Sequence, residues 1–108
     1  MNYLVVLTTL PTRAEGRRLA ERVLKKKLAA CVNILGPAQS LFWWKGKVDS
    51  AKECLLFIKT RQSHFNRLRT FLEKHHPYSV PEIIALPVKK GNASYLKWIA
   101  RSMGGRLN

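Results

Sequence analysis

The chain has 108 residues, 46% of them apolar, and its 20 Lys and Arg against 6 Asp and Glu give a formal charge of +14. This length predicts one domain over residues 1–108, able to bury a core without covalent staples. No apolar run approaches about 18 residues, which excludes a membrane-spanning helix, and the start Met1-Asn2-Tyr3-Leu4 lacks a basic region followed by a signal-peptide core, so a cytoplasmic location is expected.

Tyr3 to Leu7 is a continuous apolar run and predicts a buried strand, broken by Thr8-Thr9-Leu10-Pro11. Thr12 and Glu15 form a T-x-x-E capping box that opens a helix. Leu19, Ala20, Val23, Leu24 and Leu28 give that helix an apolar stripe. Lys25-Lys26-Lys27 falls near its C-terminus, where cations suit the helix dipole. Cys31 to Leu35 predicts a second strand, interrupted by Gly36-Pro37 as by a bulge and resumed through Ser40 to Trp44. Lys45-Gly46 reads as a hairpin turn. The return strand holds Val48 and, after a polar stretch, Cys54 to Ile58. Thr60 or Ser63 caps a second helix with Phe65, Leu68, Leu72 and His75 on one face, and Pro77 ends it. Ile83 to Val88 predicts a fourth strand, and Leu96, Ile99 and Met103 stripe a short last helix before a frayed tail at about 104–108.

The order β-α-β-β-α-β with a terminal helix is the ferredoxin-like α+β arrangement. The strands are apolar runs, not alternating ones, so both faces of the sheet need cover. The two main helices supply one face; a second copy of the chain is the expected cover for the other.

The stretch His75-His76-Pro77-Tyr78 through Glu82 carries the chemistry. Imidazole binds copper, zinc and nickel, so paired histidines at a chain reversal suggest a metal site. Adjacent residues point about 100° apart on a helix, so they need irregular backbone or further ligands. His75 reads either as a ligand or as the last residue of the helix stripe, and His76, outside the helix register, is the freer ligand. Glu82 reads as a ligand, an acid/base group or an ion-pair partner. Cys31 and Cys54, with no CxxC pair, suit a reducing compartment; each reads as a small buried hydrophobe, Cys31 also as a lesser ligand. Trp43 and Trp44 read as core or interface before a stacking platform. Protonation competes with metal at the histidines, so binding weakens below about pH 6. No G-x-S-x-G, H-E-x-x-H, P-loop or G-x-G-x-x-G occurs, so binding without catalysis, and no organic cofactor, is expected.

Several segments together resemble the CutA divalent-cation tolerance proteins. They are Lys27 to Asn33, Ser40 to Lys47, Ile58-Lys59-Thr60, His76-Pro77-Tyr78, Val80 to Ile83 and Tyr95 to Trp98, and the resemblance runs from about Leu4 to Ile99. It implies a ferredoxin-like subunit in a homotrimer, tolerance of divalent metals, and copper, here Cu(II), as the first candidate ion. It implies His75 and His76 as ligands, with Glu82 near a cleft between subunits. The cysteine ligand of a copper-binding member is Thr8 here, which removes the soft thiolate suited to Cu(I). The excess positive charge also works against attracting cations. It favours anions, so the alternatives are a basic RNA-binding module, less favoured because the third strand lacks an aromatic-glycine signature, and a trimeric signalling scaffold holding a small anion between subunits.

Overall fold

The computed structural model describes residues 2–104. The elements run β1 (Tyr3–Leu10), α1 (Arg13–Lys25), β2 (Cys31–Trp44), β3 (Lys47–Arg61), α2 (Phe65–His75), β4 (Ile84–Val88) and α3 (Ala93–Ser102). The four strands form one antiparallel sheet in the order β2-β3-β1-β4. The expected ferredoxin-like α+β topology is therefore present, and α1 and α2 pack on one side of the sheet.

Residue alternation decides what each face meets. Val6 and Leu10 of β1, with Leu56 and Ile58 of β3, pack against Leu19, Val23, Leu68 and Leu72 of the helices. Among the described residues, the buried polar side chains on this face are Thr8 and Thr60, both fully buried. Thr60 Oγ1 donates to the Leu28 carbonyl at 2.7 Å, so its burial leaves no unmet polar group. Thr60 thus closes β3 and does not cap α2. A single 3₁₀ turn, Gln62–His64, leads into α2, whose N-cap position, His64, has no side-chain cap. The Thr12 capping box does form: Thr12 Oγ1 accepts from the Glu15 N–H at 3.1 Å.

The opposite face stays open. Leu7 pairs with Phe57 and Ile84, and Val5 pairs with Lys59 and Leu86, so these side chains project together away from α1 and α2. Gly36 and Pro37 form a bulge between the Leu35/Leu55 and Ala38/Glu53 pairs. The two-residue detour puts Ala38, Ser40, Phe42 and Trp44 on the same face as Leu35. Beyond the bulge, β2 and β3 continue as a long hairpin arm, and the molecule measures 51 Å along its major axis. Its tip turns at Lys45 and Gly46, both at positive φ. Leu41 is 71% exposed and Trp43 76%, so in a single chain both faces of the arm are uncovered.

α3 closes the other end of the sheet: Ile99 and Met103 bury against Tyr3. Met103 is thus core. From residue 105 onward the tail expected at 104–108 lies outside the described residues.

Candidate functional site

Pro77 forces the chain out of α2, and His76 becomes its C-cap with extended backbone. This sends the two adjacent histidines to different places. His75 stays on the helix, its ring 4.3 Å from that of Phe71. Arg22 Nη2 lies 3.1 Å from His75 Nδ1. A guanidinium only donates, so Nδ1 accepts and the proton of the neutral ring sits on Nε2. Partial burial, then the positive charges of Arg22, Lys74 and Lys26, hold His75 below the ordinary histidine range. A cation at His75 would meet those same charges.

His76 turns inward instead. The Tyr78 N–H donates to His76 Nδ1 at 3.1 Å. The ring proton is therefore on Nε2, which donates to Thr8 Oγ1 at 3.1 Å. Burial lowers the affinity of His76 for a second proton, against the opposing pull of the Thr9 backbone and of Glu15 and Glu53. A second proton would also set the Nδ1–H against the Tyr78 N–H.

Tyr78 joins this histidine to a carboxylate that the sequence reading did not single out. Its hydroxyl donates to Glu53 Oε2 at 2.7 Å. Burial raises Glu53, but hydrogen bonds from Ser40, Tyr78 and Thr9, with the nearby His76, outweigh it and keep the carboxylate ionised below the ordinary range. Burial and then Glu53 push Tyr78 upward, so it remains a phenol. Glu53 shares the open sheet face with Leu55 and Thr9. Only its surroundings mark it: in sequence it is one acid in the polar stretch Asp49-Ser50-Ala51-Lys52-Glu53.

The other expected ligands lie elsewhere. Cys31, half-buried at the start of β2, pairs with Lys59, and its thiol sits 4.0 Å from Asn33 Oδ1. Glu82 is exposed in the segment before β4. Among the described residues no group of three or more His, Cys, Asp or Glu converges closely enough to hold a metal ion. One chain thus offers His76 and Glu53 as a pair, and Thr8 presents a hydroxyl to His76 where a thiol would be a stronger ligand.

A family model described as CutA1 divalent ion tolerance protein matches residues 4–102. The chain belongs to this family. It is 48% identical over 99 residues to the rice Protein CutA 1, chloroplastic, covering 92% of this chain and 56% of that protein. It is 43% identical over 102 residues to the divalent-cation tolerance protein CutA of Yersinia pestis, covering 94% of this chain and 86% of the relative. The solved CutA1 of Oryza sativa superposes with a TM-score of 0.92 at 44% identity, covering all of this chain and 97% of that one. The periplasmic divalent cation tolerance protein CutA of Archaeoglobus fulgidus gives 0.91 at 40%, covering 94% and 98%. A role in divalent-cation tolerance, as read from the sequence, agrees with this membership.

Proposed function

We propose that this protein acts in the cytoplasm by binding a divalent cation, Cu(II) in the first instance, without turnover. The ion is taken by His76 and Glu53, and a neighbouring copy in a homotrimer supplies the remaining donors. The observation that carries this reading is that one residue, Tyr78, joins a neutral imidazole to an ionised carboxylate, its N–H donating to His76 and its hydroxyl to Glu53. Both groups are already in the protonation state that metal coordination needs near neutral pH. The two free cysteines suit a reducing compartment.

Assembly is supported by the open face and the arm. Leu41, Trp43, Trp44 and Val48 at the arm, and Ile84 and Leu86 on β4, are all at least half exposed. Exposed apolar side chains in this number are characteristic of an interface. The site beside Glu53 opens on that same face, so a second copy placed there would border it.

Coordination has a definite cost. Whichever nitrogen of His76 takes the ion, the Tyr78 N–H loses its acceptor: metal on Nδ1 displaces it, and metal on Nε2 moves the proton to Nδ1. That loss is about 0.5–1.5 kcal/mol, so moderate affinity is expected. Calorimetric titration of Cu(II) into the wild type, His76→Ala and Glu53→Gln tests the assignment. Both variants should bind at least tenfold more weakly, and unchanged affinity in both refutes it. Sedimentation at low micromolar concentration tests the assembly: a folded lone subunit refutes the trimer.

A further inference from the structure

The helix layer carries a stripe of positive charge opposed by a single acid, Glu15, at one end. Arg18, Arg22 and Lys26 lie at i, i+4 and i+8 along α1 and its C-cap, on the flank that faces α2. Steps of four residues rise about 6 Å each, so the stripe runs about 12 Å. Lys74 extends it from α2, and its charge, with those of Arg22 and Lys26, is felt at His75.

The other acids nearby are already committed. Glu21 pairs with Arg17 and Glu73 with Arg69, each at 2.8 Å. Glu15 is held towards Thr12 by the capping box, its carboxylate 3.3 Å from Thr12 Oγ1, and keeps its charge, which offsets one of the four cations. Four like charges held together against one counter-charge cost stability, so a fold that needed only solubility would gain by mixing in more acids. One of the four is also held in position: Arg22 donates to His75 Nδ1 and lies 5.8 Å from the Phe71 ring centroid. A cleft of about 120 Å³ opens beside it, lined by Glu15, Arg18, Arg22 and His75 among others.

We propose that the groove between α1 and α2 binds the phosphodiester backbone of nucleic acid through Arg18, Arg22, Lys26 and Lys74, without reading base sequence. A duplex carries about one charge per 1.7 Å of axis, so a stripe of this length meets several phosphates in any register. Phe71, the aromatic ring at this groove, is half-buried beneath Arg22 and unavailable for base stacking. A membrane surface fits less well, because the apolar side of α1 is buried in the core and leaves nothing to insert. The groove lies on the opposite side of the sheet from the open apolar face, so it remains free when that face is covered. The surface is independent of the metal proposal.

Fluorescence anisotropy with a labelled 20-base-pair DNA duplex, in EDTA, tests this. Four phosphate contacts give a log–log salt slope of about −3.6, or about a hundredfold loss of affinity between 50 and 200 mM salt. Arg18→Gln/Arg22→Gln/Lys26→Gln should flatten the slope by about 2.7. Arg18→Gln/Lys26→Gln, which touches neither the His75 nor the Phe71 contact, should flatten it by about 1.8. Lys47→Gln/Lys89→Gln/Lys90→Gln removes as much charge elsewhere and should leave the slope within about 0.5. Equal losses in the control and the groove variants overturn the proposal, because net charge alone would then explain binding. Tighter binding to poly-glutamate or to phosphatidylserine vesicles than to the duplex overturns it as well, as does no binding to the duplex at 50 mM salt.

Discussion

Replacing Thr8 by cysteine should convert the modest ion site into a tight one. Thr8 Oγ1 stands 3.1 Å from His76 Nε2. Two ligands on one tetrahedral ion, with bonds of about 2.0 Å to nitrogen and 2.3 Å to sulfur, lie about 3.5 Å apart. A thiolate at this position thus needs a shift of only a few tenths of an ångström to share an ion with His76. Complete four-ligand sites contribute about 10–16 kcal/mol, or roughly 3 kcal/mol per ligand. Against this stands deprotonation of the thiol, about 1 kcal/mol when the pH lies somewhat below its ordinary pKa, while loss of the hydroxyl acceptor for the His76 Nε2–H weakens mainly the metal-free form and so does not oppose binding. The net expectation is an affinity gain of roughly thirtyfold to a hundredfold, larger for Cu(I), which prefers soft sulfur. Competition titration with a colorimetric copper chelator, under reducing conditions for Cu(I), measures it. An affinity within threefold of the wild type would show that His76 does not direct the ion, and both the proposed site and the geometric reasoning would fail together.

Other perturbations address the fold and its polar cluster. Tyr78→Phe leaves the Glu53 carboxylate without its 2.7 Å donor; at this half-buried position about 1–2 kcal/mol should be lost in urea unfolding, with Glu53 titrating at a higher pH by NMR. His75 and His76 both bind a proton less readily in the fold than in the unfolded chain. Their contribution to stability is thus full above about pH 6.5 and is lost as the pH falls below it. Melting temperature should drop on acidification from pH 7 to 5, and His76→Gln should lessen that dependence. Leu72→Ala opens the centre of the core, where Leu72 is fully buried, and should cost about 2–5 kcal/mol; a loss under 1 kcal/mol would contradict the packing described.

The order of elements was legible because three local signals agreed with the global fold: apolar runs, the Thr12–Glu15 box and the Pro77 stop. The Gly36-Pro37 interruption was readable as a bulge because the flanking residues kept their strand character. Thr60 misled as a helix cap because its hydroxyl was needed at Leu28, 32 residues away, and long-range pairing leaves no trace in local spacing. The same holds for the site. His75 and His76 stood out as a pair, yet the exit from α2 separates them, one to Arg22 and one to Thr8. Glu53 was invisible, since its role depends on Tyr78, 25 positions further on.

The bulge in β2 also bears on which insertions and deletions this chain can survive. It absorbs one extra residue, so losing one of Gly36 and Pro37 would only straighten the strand, while losing both would rotate every later side chain of β2 to the wrong side, trading Phe42 and Trp44 for Leu41 and Trp43. Length changes at the hairpin tip, by contrast, are neutral to phase when they come as matched pairs. Among natural variants, the arm should therefore shorten or lengthen by even numbers of residues, while Gly36 and Pro37 are never lost together.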